Sequence, residues 1–192
     1  MRYQLFTLII LLSFAAGSAK SFAQDISEDA WALSENGAEF AEYKGRKTLL
    51  LKGGVAVLKN SNFKDGTIAF DVAMPEERGF VGVDFRLNDD TGEYFYLRSH
   101  LSGKPDANQY TPRFNGVTGW QLYHSDRFSV PTVYQAGEWT SVKLVIKDNK
   151  MDVYINSDTP SLHVDNLMAP DIAGEIRLAG AMQNFHISNF RA

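Results

Sequence analysis

FVGVDFRL at residues 80–87 and EYFYLRSH at residues 93–100, joined by Asn88-Asp89-Asp90-Thr91-Gly92, decide how the rest of the chain is read. In the first run Val81, Val83, Phe85 and Leu87 alternate with Gly82, Asp84 and Arg86. In the second, Phe95 and Leu97 alternate with Tyr94, Tyr96, Arg98 and His100. Successive side chains of a strand point to opposite faces, so each run has one apolar and one polar-aromatic side. Paired as a hairpin, the two runs predict a single surface carrying Asp84, Arg86, Tyr94, Tyr96, Arg98 and His100 over an apolar underside. Flat rings beside planar polar groups suit a polar ring-shaped ligand such as a sugar.

The same alternation extends outward along the chain. GTIAFDVAM at residues 66–74 sets Ile68, Phe70, Val72 and Met74 against Thr67, Ala69, Asp71 and Ala73, and Pro75 closes it because proline has no N–H for a ladder. Further strand-type runs fall at 47–51, 55–58, 119–124, 139–147, 151–156, 162–164, 175–179 and 184–190. The polar turn Lys147-Asp148-Asn149-Lys150 predicts a hairpin in which Val142, Leu144 and Ile146 share a face with Met151, Val153 and Ile155. Trp139 heads a core strand and reads as packing. Residues 25–33 alone read as helical. Short strands at regular spacing without helices predict an all-β chain of two packed antiparallel sheets.

The N-terminus has a basic start at Arg2, the apolar run LFTLIILLSFAA at residues 5–16, and small residues ending at Ser21-Phe22-Ala23. This is the layout of a secretory signal peptide over residues 1–23, leaving one domain over 24–192. The run is shorter than the roughly 20 apolar residues a bilayer span needs. A secreted or periplasmic bacterial protein with no membrane span after cleavage is expected. With no cysteine, thiol catalysis, cysteine-held zinc and lipoprotein anchoring are excluded. Nineteen Lys and Arg against 23 Asp and Glu give a net charge of −4, which argues against a nucleic-acid partner.

The segment at residues 99–120, SHLSGKPDANQYTPRFNGVTGW, is rich in turn formers and links two runs. Loops of that length inside a compact domain usually bind something, so it is expected to roof a site over the hairpin. Tyr94, Tyr96, Tyr110, Trp120 and Tyr123 are candidate stacking platforms; Arg86, Arg98, His100, Asn108, Gln109, Asn115 and Gln121 are candidate polar contacts. Asp84 is placed to orient Arg86 and Arg98. If the face does chemistry, Asp84 with Asp71 on the preceding strand, and His100 as acid or base, are the candidates, with Asp106 and Glu93 as loop or strand-end alternatives. No cofactor is implied; structural calcium at Asp89 and Asp90 stays open, since acids also favour such turns for conformational reasons.

Phe63-Lys64-Asp65-Gly66-Thr67-Ile68, then residues 79–86 (GFVGVDFR), then Tyr96-Leu97-Arg98, resemble the opening of concanavalin A-like jelly rolls. Among these the chain looks most like bacterial laminin-G-like domains and the DUF1080 or 3-keto-disaccharide hydrolase group. The resemblance covers about residues 40–191. It implies a two-sheet antiparallel jelly-roll sandwich and carbohydrate binding or processing, on a fold that hosts many activities. The Glu-x-Asp-x-x-Glu strand of the laminarinase-type members is missing: Asp71-Val72-Ala73-Met74-Pro75-Glu76 has the wrong spacing and a proline. The expected function is therefore lectin-like glycan binding on the polar-aromatic face. The alternatives are a hydrolase or lyase of the 3-keto-disaccharide type and a non-catalytic protein-adhesion module.

Overall fold

In the computed structural model, which describes residues 25–192, fourteen strands follow one another in chain order. They are β1 (Trp31–Leu33), β2 (Ala38–Tyr43), β3 (Arg46–Leu51), β4 (Val55–Leu58), β5 (Gly66–Ala73), β6 (Phe80–Asn88) and β7 (Thr91–Arg98). After a 3-10 turn over Ser99–Leu101 come β8 (Asn108–Phe114), β9 (Val117–Thr118), β10 (Trp139–Lys147), β11 (Lys150–Ile155), β12 (Leu162–Val164), β13 (Glu175–Ala181) and β14 (Phe185–Arg191). The expected leader over residues 1–23 lies outside the described residues.

The strands form two seven-stranded antiparallel sheets, ordered β1-β4-β13-β6-β7-β8-β9 and β12-β11-β10-β5-β14-β3-β2. Local turn chemistry sets the hairpins. Asp89 and Asp90 (φ 43° and 61°) join β6 to β7, and Asn115 and Gly116 (φ 50° and 78°) join β8 to β9. Both positions of each turn are left-handed, the conformation whose twist matches that of antiparallel strands and that Asn, Asp and Gly tolerate. Asp89 and Asp90 thus have a conformational reason to be where they are.

The apolar halves of the alternating runs meet between the sheets. Val81, Val83, Phe85, Phe95 and Leu97 from one sheet, with Ile68, Phe70, Val72, Val142, Leu144 and Val153 from the other, are all buried in one core. Burial of this kind contributes roughly 1.5–3 kcal/mol per large apolar side chain.

Several local expectations are corrected. Residues 25–33 form a turn and then β1. The 119–124 run is irregular, and the roof segment expected over 99–120 instead contains β8 and β9. Its Asn-Gly pair is the hairpin signal that the loop reading passed over. The long irregular stretch is residues 119–138. Trp139 lies on the outer side of its sheet, beneath the Arg46 guanidinium at 4.8 Å.

β5 and β6, consecutive in sequence, belong to different sheets, because the Pro75-containing segment between them crosses from one layer to the other. Asp71 and Asp84 are therefore not side by side. Asp71 faces out from the second sheet, where Arg46 Nη1 and Asn189 Nδ2 donate to it at 2.8 and 2.6 Å. Among the described residues no helix is long and apolar enough to cross a membrane.

Candidate functional site

Register builds a polar-aromatic face on the outer side of the first sheet. Phe80 stands opposite Arg98, Gly82 opposite Tyr96, and Asp84 opposite Tyr94; Tyr96 is in turn opposite Gln109. Gly82 is required here. A Cβ at that position would lie 2.3 Å from the Phe95 carbonyl oxygen and 2.5 Å from the Tyr96 Cβ. The space a side chain would take is filled by the β7 backbone and the Tyr96 Cβ.

The rings and guanidinium groups of this face form one stack. Tyr94 and Tyr96 are parallel with centroids 5.0 Å apart. Arg113 covers the Tyr94 ring at 4.9 Å, and Arg98 lies 5.1 Å from the Tyr96 ring and 5.9 Å from that of Trp120. Each such cation-ring contact contributes about 0.5–1 kcal/mol, more where water is excluded.

A hydrogen-bonded network holds the stack in place. Arg98 donates through Nη1 to the Asp106 carboxylate at 2.9 Å and through Nη2 to the Tyr96 hydroxyl at 2.6 Å. It also donates to Gln109 Oε1, which accepts from the Tyr96 hydroxyl at 2.8 Å. The Gln109 amide donates onward to the carbonyls of Trp120, at 2.8 Å, and of Tyr123. Gln109 thereby ties the irregular 119–124 segment to the sheet and holds the Trp120 backbone beside it. Burial pushes the Tyr94 and Tyr96 hydroxyls above the ordinary tyrosine range, so both stay protonated donors.

Asp84 is fully buried beneath the face, and its two oxygens accept from Arg113 Nε at 2.7 Å and Arg177 Nε at 3.0 Å. The expectation that it orients Arg86 and Arg98 is thus corrected: the arginines it holds come from β8 and β13. Neither Arg113 nor Arg177 was singled out as part of the face, although Arg177 continues the alternation of the EIRLA run. Arg177 is the register partner of Asp84 on the adjoining β13, and Arg113 lies two strands away on β8; partners so distant along the chain carry no short-range signal in sequence.

Arg86 is not on this surface. It has φ 52° and lies where the register of β6 against β7 shifts, a bulge that takes it out of the alternation. Its fully buried guanidinium donates to the carbonyls of Lys64 at 2.7 Å and Asp148 at 2.5 Å, and meets the carboxylates of Asp65 at 2.9 Å and Asp171 at 3.1 Å. It closes the end of the sandwich.

Two more candidates point inward. Asn108 donates to the Val130 carbonyl at 2.9 Å and accepts from the Val130 N–H at 3.2 Å, fastening residues 130–132. Tyr110 donates to Glu93 at 2.7 Å and accepts from the Met168 N–H at 2.7 Å. Glu93 also accepts from the Ala169 N–H at 3.1 Å, and burial raises its pKa. Asn115 occupies the exposed tip of the β8–β9 turn, and Gln121 is exposed outside both hollows described below. Asp90 lies 3.6 Å from Arg177, and no group of three or more acidic or histidine side chains among the described residues is arranged for a metal.

What the structure brings together is a hollow of about 450 Å3 over Tyr94, Tyr96 and Arg98, walled by Trp120 and Thr118 on one side. Phe80, His100, Arg78, Leu101 and Asp106 complete the lining. Phe80 was legible by extending the alternation back one residue; Arg78, in the crossover, was not. His100 meets the Phe80 ring edge-on at 5.4 Å. Burial, and next the Arg78 charge, hold its pKa below the usual histidine value. A second hollow of about 510 Å3 adjoins the first, sharing Arg98, Asp106 and Trp120 and adding His124, Ser125 and Asp126. Trp120, 49% exposed, stands where the two meet.

Chemically, the first hollow offers ring faces and fixed donors. Asp106 is the one carboxylate among its lining residues, and it is engaged by Arg98. Cleavage of a glycosidic bond ordinarily uses two carboxyl groups about 5 to 9.5 Å apart. Asp84 is sealed below and Asp71 is on the other sheet, so neither supplies the second.

No protein-family profile matches the chain, and no curated protein matches it in sequence. Solved structures match over most of its length. A carbohydrate-binding module, CBM66, from Bacillus subtilis superposes with a TM-score of 0.62 at 14% identity, covering 84% of this chain and 93% of that one. A Bacillus licheniformis beta-glucanase gives 0.64 at 9% identity, covering 91% and 97%. A glycoside hydrolase family 16 endo-glucanase from Bacteroides ovatus gives 0.61 at 11%, covering 89% and 98%. These likenesses place the chain in the all-β, two-sheet antiparallel jelly-roll fold of the concanavalin A-like type. At such identities they speak for the fold alone.

Proposed function

We propose that the protein is an exported glycan-binding module whose site is the hollow beside Trp120. The observation that carries this reading is the combination in one hollow of exposed ring surface, from Trp120 and Phe80, with donors already locked by the Arg98, Tyr96 and Gln109 network. Sugar rings present apolar C–H faces and in-plane hydroxyls, and rigid rings beside pre-oriented polar groups bind both with little ordering cost. The adjoining hollow extends the site to more than one sugar unit. Fold neighbours described as a carbohydrate-binding module and as glucanases support the reading. The expected leader over residues 1–23 and the laminin-G-like and DUF1080 likeness belong to the same proposal.

Binding is preferred to cleavage because the one carboxylate lining the first hollow, Asp106, is paired with Arg98, while Asp126 lines the adjoining hollow and not the first. The test is a glycan array followed by calorimetry, with the ligand recovered and weighed by mass spectrometry. Wild type binds and returns its ligand unchanged; Trp120→Ala weakens binding at least about tenfold, the equivalent of 1.4 kcal/mol, while the melting temperature holds. Binding of no glycan refutes the proposal, and a partner protein captured in its place through the same face favours adhesion. Product release that depends on His100 or Asp106 favours an enzyme.

A further inference from the structure

We propose that the ligand is an anionic glycan, uronate- or sulfate-bearing, whose negative group is received by Arg78 at the His100 end of the hollow; this rests on the glycan-binding reading above. The argument is one of unmatched charge. Of the four arginines on this side of the sheet, three have carboxylates: Arg98 has Asp106, and Arg113 and Arg177 share Asp84, with Asp90 3.6 Å from Arg177. Arg78 lies within 4.0 Å of no carboxylate among the described residues, although Glu76 and Glu77 precede it. Neither glutamate lines the hollow. The lining thus carries Arg78 and Arg98 against Asp106 alone, one positive charge in excess, in a chain whose net charge is −4.

Position supports the reading as well as charge, with Arg78 exposed at the mouth of the hollow and open to a ligand. The Arg78 guanidinium lies 6.0 Å from the centroid of the Phe80 ring, the same ring that His100 meets at 5.4 Å. The backbone beside it is held by the Ser99 hydroxyl, which donates to the Glu77 carbonyl at 2.7 Å. An arginine is a fork matched to the two oxygens of a carboxylate or sulfate, and charge-assisted bonds to such groups are roughly twice as strong as neutral ones. A neutral sugar would leave that fork to water. An anionic one satisfies it without desolvating an existing ion pair.

The full chain and its Arg78→Gln variant are titrated calorimetrically against oligogalacturonate, oligomannuronate and sulfated carrageenan oligosaccharides. Each is paired with a neutral counterpart made by methyl esterification or desulfation. Expected is at least about a tenfold preference for the anionic member of one pair, erased by Arg78→Gln and weakened as salt rises from about 0.05 to 0.5 M. Which pair responds separates uronate from sulfate. Lys150→Gln, an equal charge change on the remote β10–β11 hairpin, leaves the preference intact. Equal or better binding of the neutral members, or a preference that survives Arg78→Gln, overturns this inference and leaves glycan binding standing. Binding of no member of any pair, with a silent array, removes the glycan-binding reading and this one together.

Discussion

Replacing Asp84 by Asn tests whether the floor of the face is a structural ion cluster or part of a reacting site. Asp84 is fully buried, and each of its oxygens accepts one arginine Nε–H, at 2.7 and 3.0 Å. The amide keeps the shape but presents an N–H2 to one of the two guanidinium groups, donor against donor, and removes the charge between them. Breaking a buried pair by altering one partner costs about 3–5 kcal/mol. Arg113 and Arg177 keep 14% and 19% of their side-chain surface in water, so about 3 kcal/mol is the fitting value here. For a domain of this size that lowers the melting temperature by ~6–12 °C. Urea unfolding followed by tryptophan fluorescence gives the free energy, and calorimetry gives the midpoint. Asp84 lines neither hollow, so the folded variant keeps its glycan affinity to within about twofold, a difference of roughly 0.4 kcal/mol. A stability loss below about 1 kcal/mol, or lost binding in a variant of wild-type stability, refutes the reasoning.

Arg86→Lys keeps the charge but replaces a fork with four partners by a single ammonium; a loss of about 2–3 kcal/mol on urea unfolding, with binding unchanged at 20 °C, is expected. For Glu93, burial raises the folded pKa above the unfolded value of 4.5, so the folded state holds this proton more tightly and the penalty on the ionised form is lifted as pH falls. Wild type therefore gains stability relative to Glu93→Gln as pH drops through the raised value toward 4.5, and a gap moving the other way in denaturation series contradicts this. His100 is held below its usual 6.5 by burial and Arg78; it also faces Arg98, Asp106 and the edge of Phe80. An anionic ligand beside it favours the imidazolium, so affinity for the anionic member of a pair rises as pH falls through the His100 titration, and the His100 ring resonances titrate at higher pH in the complex. A pH-independent affinity with unmoved resonances refutes that placement.

The alternation in residues 80–87 and 93–100 was enough to assign Asp84, Tyr94, Tyr96, Arg98 and His100 to one face, because side-chain direction along a strand is a local property of the backbone. The inner residues of β5, β10 and β11 were legible for the same reason. Arg86 escaped because a bulge breaks the period by one residue, and whether a strand bulges depends on what its neighbours across two ladders require. The inward direction of Asn108 and Tyr110 is not legible from composition, because it is the Asn115-Gly116 turn that makes a strand of their segment and aims them at Val130 and Glu93.

By itself, then, the sequence determined a two-layered all-β chain, the faces of its well-patterned strands and an acidic, cysteine-free composition. Only the tertiary structure decided which strands share a sheet, which acids are matched to which arginines, and that Arg78, among the arginines lining the hollow, has no carboxylate partner among the described residues. Those outcomes depend on pairings between residues as far apart as Asp84 and Arg177. Chain crossings and buried charge balance settle such pairings, and neither leaves a periodic mark along the chain.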